Sequence, residues 1–475
     1  MHFNAGILRI LLLFGAPVLG LFAFVLARVS QDHAPPNALV SSTSSIVYGN
    51  PRNYLTLLRE LHPGETLFLV PGDYKETEHG SGLPIFHLKG SAEKVIVITG
   101  PNTGPRPVFF ASESKNTIRI ADASYVTIRN LDLDGRGLDV DGVKAEGISD
   151  HITLENLCIK NHGNNQQTVG ISTKAPSWDW VIRGNVIFGA GTGIYLGDSD
   201  GTKPFIHGLI EYNLIRDTLG YNIEIKHQLP RPDIPGMPKA AGATIIRHNV
   251  LSKAERGSVG GMARPNLLVG HFPLSGDGAE DVYEIYGNFF YENPTGEPLF
   301  QGEGNLAIYD NLFWNDRGDA ILVRPHKAYP RKVMIFWNTV VSRGFGIKVS
   351  EGSDAFRQSV IGNLVFASQP ILANDKLANF VGPMESAKSY LQHPELPLGK
   401  LDLSPLQGRL ATPFIDLSLF TGYDDALFDF DHTKHEKTFV GAYEQSRIAP
   451  RWSPALELKP PLGQTSSISV ACSPE

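Results

Sequence analysis

One short phrase recurs along this chain and limits what it can fold into. It reads Ile128-Arg129-Asn130-Leu131, Leu154-Glu155-Asn156-Leu157, Ile182-Arg183-Gly184-Asn185-Val186 and Ile210-Glu211-Tyr212-Asn213-Leu214. Further copies place Asn249, Asn288, Asn311, Asn338 and Asn363 at the same point of the phrase. Most successive asparagines are separated by one coil's worth of chain, a three-strand repeat, and the two longer gaps before Asn249 and Asn288 imply loop insertions. The segments alternate apolar and polar residues with period two, which excludes a helical solenoid and specifies short strands. Asparagine suits such a corner because it tolerates unusual backbone angles, and stacked copies can pass amide hydrogen bonds from coil to coil.

A second phrase follows each asparagine: Gly193-Ile194-Tyr195-Leu196, Asn222-Ile223-Glu224-Ile225, Ala320-Ile321-Leu322-Val323 and Gly346-Ile347-Lys348-Val349. It supplies a further strand per coil, apolar side chains inward and the alternate ones outward. Abundant glycine and proline (48 and 33 residues) with only 19% charged residues fit short strands joined by turns. The expected fold is therefore all-β, a right-handed parallel β-helix over residues 46–445, capped by a helix within Asn53–Leu61 that has Leu55, Leu57, Leu58 and Leu61 on one face. Capping matters because an open first coil offers strand edges to other chains. After about Asn374 the repeat fades into an irregular segment that closes at Gly441-Ala442-Tyr443-Glu444. The Pro- and Ser-rich tail, 446–475, is expected to be disordered.

Ahead of the repeat, an apolar run from Ile10 through Ala27 closes at Arg28, which reads as an export signal. Residues 1–30 are thus either a cleaved signal peptide or an uncleaved membrane anchor, two readings of equal weight, and 31–45 a linker. Both place the protein outside the cytoplasm, in the periplasm or cell envelope. The net charge of −7 and absence of a basic stripe exclude a nucleic-acid binder, and no nucleotide-binding glycine motif is present. Cys158 and Cys472 are too far apart in sequence for a disulfide framework or metal knuckle and are expected to be unpaired thiols.

The Gly72-Asp73-Tyr74 turn, Ile98-Thr99-Gly100-Pro101 with Pro107-Val108 after it, the asparagine coils and the Gly-Ala-Tyr-Glu ending together resemble the pectin-lyase-like superfamily of right-handed parallel β-helix proteins. The resemblance spans about residues 46–445. It implies carbohydrate-active enzymes, among them polysaccharide lyases, polygalacturonase-like hydrolases and mannuronan epimerases, beside phage tailspikes and non-catalytic members. The Asp-Pro-His-Asp signature of the epimerases is missing, as are the paired aspartates and Gly-His-Gly motif of the polygalacturonases. Within that superfamily, the chondroitinase B and alginate lyase group implies a lysine base, an arginine and often calcium on one helix face.

Stacking the second phrase coil on coil puts residues in outward columns, since neighbouring strands lie roughly 4.8 Å apart. One column is expected to hold Lys174, Gly197, Lys226, Gly270, Gly302, Arg324 and Ser350; the next holds Ala175, Asp198, His227, His271, Glu303, Pro325 and Glu351, with His326 beside it. Eliminating a uronic acid needs its carboxylate neutralised, a base for the adjacent proton and an acid for the leaving oxygen. Arg324 is the expected carboxylate clamp, Lys226 or His227 the base, and His271 a second acid or base. Glu224, Glu303, His326, Arg231 and Lys174 are expected to bind the polymer. The long gaps around this cluster, with Leu229-Pro230-Arg231-Pro232-Asp233 and the loop 257–273, suit the walls of a binding groove.

Taken one at a time, these charges are equally well solvated groups on a sheet face; their convergence is what favours function. The expected activity is a lyase on an acidic polysaccharide. The alternatives are a non-catalytic protein that binds or organises exopolysaccharide, which calls for aromatic platforms, and a glycoside hydrolase using Glu224 and Glu303. Asp198 and Asp200 are weak calcium-ligand candidates within an ordinary acidic turn, and two histidines without a third ligand do not make a zinc site. Trp314 and Trp337 are expected to stack in the core rather than on sugar.

Overall fold

The computed structural model describes residues 45–75, 82–410, 414–434, 439–444, 452–461 and 472. The export segment 10–27 and the linker before Ser45 lie outside the described residues. Among the described residues no helix is long and apolar enough to cross a membrane.

Each coil contributes one strand to each of three parallel faces, and the whole is a right-handed parallel β-helix. The first face runs from Ile46–Gly49 through Thr66–Leu69, Ile96–Thr99 and Ala123–Arg129 to Asp375–Leu377, every neighbour parallel. The second face carries Cys158–Lys160, Val186–Phe188, Leu214–Arg216, Val250–Ser252, Phe289–Tyr291 and Leu312–Asn315. The third carries Val169–Thr173, Thr192–Leu196, Ile223–Ile225, Leu267–Val269, Phe300–Gly302 and Ile321–Val323. The long strand Thr339–Val349 passes through a bulge and belongs to both the second and third faces. Period-two alternation produces this arrangement directly: Ile128, Leu154, Ile182, Ile210, Ile246, Ile285, Ile308 and Ile335 stack inward, all fully buried. Each such side chain contributes roughly 1.5–3 kcal/mol of burial. The expected cap is a helix over Tyr54–Arg59 that buries Tyr54 and Leu58 against the first coils, with the Tyr54 hydroxyl donating to the Gly82 carbonyl at 2.6 Å.

The asparagine repeat forms a buried ladder. Each Nδ2 donates to the Oδ1 of the next copy from Asn185 through Asn213, Asn249, Asn288, Asn311, Asn338 and Asn363 to Asn379, at 2.9–3.0 Å. The same Oδ1 also accepts the backbone N–H of the preceding copy. The unusual backbone angle falls one residue earlier than the sequence suggests, on Gly184, Tyr212, His248, Gly287, Asp310, Trp337 and Gly362, all with φ between 50° and 64°. Asn130 and Asn156 occupy that left-handed corner, with φ of 56° and 53°, rather than the ladder. Leu157 stands in the ladder position and donates its N–H to Asn185.

Two expectations for the C-terminal region are overturned. Cys158 and Cys472 are not free thiols but a disulfide, their Cα atoms 5.6 Å apart across 314 residues of sequence. The tail is not disordered where it is described: Trp452 and Leu458 are buried, and the buried amine of Lys459 donates to the carbonyls of Phe430 and Gly287 at 2.7 and 3.1 Å. The cause is an outward apolar stripe on the second face, Cys158, Val186, Leu214, Val250, Phe289, Leu312 and Leu364, which needs a cover. Leu401, Leu403, Phe430, Val440, Tyr443, Trp452 and Leu458 supply it. The tail's remaining residues, 446–451, 462–471 and 473–475, lie outside the described residues.

Candidate active site

Among the described residues the third face has no cover of this kind, and its outward side forms a groove lined by Glu224, Lys226, His227, Leu268, Gln301, Glu303 and His326. Its register differs from the expected one at a single coil. Val269 pairs with Gly302 and Gly302 with Val323, so Gly302 belongs to the inward column. A Cβ there would meet the Phe300 ring at 2.6 Å. Glu303 therefore follows Gly270 in the column of Lys174, Gly197 and Lys226, ahead of Arg324. The flanking glycines on both sides of Glu303 hid the shift, because neither reveals by side-chain character which face it occupies.

At the centre of the floor, Lys226 Nζ lies 2.8 Å from Glu224 Oε1. Glu224 is 4% exposed, and burial raises its pKa while the Lys226 ammonium opposes the rise. Arg264 and His326 are near enough to favour its charged form further. Tyr195 sits in the column of Glu224, and its ring receives the amines of Lys174 and Lys226 at 5.2 and 5.7 Å. Tyr221 lies under the Arg264 guanidinium at 6.0 Å. Burial first, then the Glu224 charge, pushes both phenols upward, so they remain protonated donors at neutral pH.

The histidines form the opposite flank. The rings of His227 and His271 are 5.3 Å apart. His227 has a lowered pKa, chiefly from burial and then from the charges of His271, Lys226 and Lys327. Buried His271 holds its Nδ1 2.7 Å from the Phe272 carbonyl, so that nitrogen carries the proton and donates. Glu303 is anchored more tightly: its Oε2 accepts the backbone N–H groups of His326, Lys327 and Ala328 at 2.8–2.9 Å. It shapes the 326–328 turn that carries His326, while its Oε1 has no hydrogen-bond partner among the described residues.

Five expected site residues are placed elsewhere. Arg324 is exposed and three coils from Lys226, roughly 14 Å along the face, with no side-chain partner among the described residues. Arg231 is buried in an ion pair with Asp281 and donates to the Pro238 carbonyl, tying down the inserted loop instead of facing a ligand. Lys174 stands two coils from Lys226 on the other side, over Tyr195. Asp198 and Asp200 spend their oxygens on the turn they begin: Asp198 accepts from Lys203 N and Thr202 Oγ1, Asp200 from Thr202 N and Oγ1. No three ligating side chains converge on a metal position among the described residues. The residues that sequence reasoning missed, Tyr195, Tyr221 and Arg264, had one available signal. Tyr195 lies in the recurring third-face phrase, whereas Tyr221 and Arg264 lie in connecting segments with no periodicity to align. Trp337 is buried against Phe420 and Phe439 as expected, whereas Trp314 is not in the core: half-buried on the outward side of the second face, it stacks on Tyr291 and donates to the Pro394 carbonyl at 3.0 Å.

No family model matches the chain, and no curated protein matches it. Among solved structures it is similar to the A-module of the mannuronan C-5 epimerase AlgE6 of Azotobacter vinelandii, with 16% identity over 67% of this chain and 91% of that one and a TM-score of 0.39. It is also similar to the PL6 family alginate lyase AlyGC, with 13% identity over 77% of this chain and 56% of that one and a TM-score of 0.39. A third is pectate lyase Pel9A, with 14% identity over 86% of this chain and 91% of that one and a TM-score of 0.35. The fold stands on the strand register described above.

Proposed function

We propose that this chain is an exported, carbohydrate-active β-helix protein that cleaves an acidic polysaccharide by β-elimination. The observation that carries the reading is the Lys226 amine, held 2.8 Å from a buried carboxylate on the floor of an open groove. In this reading the base is the neutral form of Lys226, which Glu224 holds in place on the groove floor through their 2.8 Å hydrogen bond. That amine takes the proton from the carbon beside the substrate carboxylate. The C–H electron pair becomes the C4–C5 double bond, the C4–O bond breaks, and the leaving oxygen takes a proton from the Tyr195 hydroxyl or from His326. Arg264, over Tyr221 and close to Glu224, neutralises the substrate carboxylate in the role expected of Arg324. Arg324 and Lys174, on opposite sides of the centre, then meet acidic sugars farther along the polymer.

The hydrolase alternative would pair Glu303, whose Oε2 is held by three backbone amides and whose Oε1 has no hydrogen-bond partner among the described residues, with a Glu224 that is already bonded to Lys226. Export is supported by the apolar run 10–27 and by the Cys158–Cys472 disulfide, which needs an oxidising compartment. The test is absorbance at about 235 nm, where an unsaturated uronate absorbs, during incubation of the purified protein with a panel of acidic polysaccharides, with and without calcium. The expected result is a rise on one of these polymers that Lys226→Met lowers by about 10²- to 10⁴-fold with the fold intact. New reducing ends without unsaturation, or binding without cleavage on every polymer, overturns the reading.

A further inference from the structure

Beside the groove, the insertion after Val250–Ser252 buries an amine that the elimination does not use. Lys253 is fully buried, and its Nζ donates to the Arg264 carbonyl at 2.6 Å. Asn293 Nδ2 donates to the same oxygen at 2.9 Å, so two buried donors from different coils hold one backbone atom. The loop between them closes over the lysine stem: a Cβ on Gly257 would stand 3.2 Å from Lys253 Cε. Its far side is tied by Ser258 N to the Leu219 carbonyl at 2.9 Å and by Gln166 Nε2 to the Met262 carbonyl at 2.6 Å. The tip between these ties is open. Val259 and Met262 are exposed, and a Cβ on Gly260 or Gly261 would meet nothing within 4 Å among the described residues, while the Gly261 carbonyl accepts Arg264 Nη1 at 3.0 Å. A lysine is an expensive way to anchor a loop, since an apolar residue of equal length would fill the space without desolvating an amine.

We propose that Lys253 is a positioning residue: its buried amine anchors the 254–264 loop as a flap and so sets Arg264 over Tyr221 at the groove edge. The inference rests on the elimination reading for the role of Arg264, but the anchoring itself does not. Burial lowers the Lys253 pKa to about 7; Glu297, from the neighbouring coil, pulls it up, and Arg264, from the flap, pushes it further down. Opening the flap returns the amine to water, where it binds a proton near pH 10.5. Opening therefore takes up a proton between these two values, and the flap holds more firmly as pH rises from about 7.

Hydrogen exchange of the intact protein tests this, with amides of the coil strands as internal reference. In the wild type the opening constant of the flap amides is expected to fall by about tenfold per pH unit between about 7 and 9.5. In Lys253→Met the flap is expected to exchange faster than wild type at pH 9 and to lose the pH dependence. A wild-type opening constant that is flat with pH, or a Lys253→Met flap identical to wild type, overturns the proposal. Asn293→Ala, which removes the second donor together with the Oδ1 that accepts from Thr295, is the companion variant: it is expected to loosen the flap while keeping the pH slope, and loss of that slope would equally overturn the assignment to Lys253. In the elimination assay, Lys253→Met is expected to reduce kcat/KM by about tenfold or more without lowering Tm. If the wild type eliminates no polymer, the elimination reading fails while the exchange experiment still decides the anchoring.

Discussion

The second and third faces of the helix are built from the same coils at the same spacing, yet their outer surfaces are opposites. On the second face the outward column is apolar, Val186, Leu214, Val250, Phe289 and Leu312, and the returning C-terminal chain covers it. On the third face the corresponding outward columns carry Lys174, Tyr195, Glu224, Lys226 and Arg324 and lie open. The inner sides of both are the same continuous apolar core. In a β-helix, then, the inward residues fix the shape and leave the composition of each outward column free to be set separately.

The comparison fails if a change on the covered face disturbs the groove. Leu312→Asp places a charge beneath the C-terminal cover and is expected to cost roughly 4 kcal/mol or more. Trp452, packed on Phe289 in the same stripe, should become exposed to quenchers, while elimination by the protein that remains folded stays within about twofold of wild type. A coupled loss of kcat would show that the two faces are not independent. A smaller effect is expected of Cys472→Ser, which releases the end of the cover: denaturation under non-reducing conditions should show a loss of about 3 kcal/mol, matched by reducing the wild type. The smallest belongs to the groove side. Asp198→Asn keeps the turn's geometry but removes a charge, and both stability and the rate with or without a chelator should move by under about 0.5 kcal/mol. A large chelator-dependent loss would reveal a metal role that the turn hydrogen bonds do not suggest.

How far the sequence could be read follows the same division. Inward columns are periodic, and periodicity is visible in a string of letters: the coils, the asparagines, the helix at Tyr54–Arg59 and the grouping of Glu224, Lys226, His227, His271 and His326 were all legible. The reading slipped where periodicity carried no information. At Gly302-Glu303-Gly304 the flanking glycines concealed which residue faces inward, and a one-residue slip moved Glu303 between columns. At Asn130 and Asn156 the same letter serves a corner that elsewhere is Gly, Tyr, His, Asp or Trp, so a match by residue type merged two adjacent positions. Arg264 and Arg231 lie on insertions, where only the packed structure shows that one approaches the groove and the other is consumed by Asp281. The cysteine pair was hidden for a related reason: 314 residues separate partners that meet only after the tail has turned back along the coils.

That return has a consequence for how the molecule comes apart. A solenoid whose rungs touch only their neighbours can fray from either end, like a stack of coins losing its top piece. Here the last segment is bonded to a rung near the beginning, at Cys158, and lies against rungs from Val186 to Leu364 on the way. Peeling the final coil would drag this brace across the rungs beneath it, so the coils from Cys158 onward form a closed hoop, while those before Cys158 keep an end free to fray.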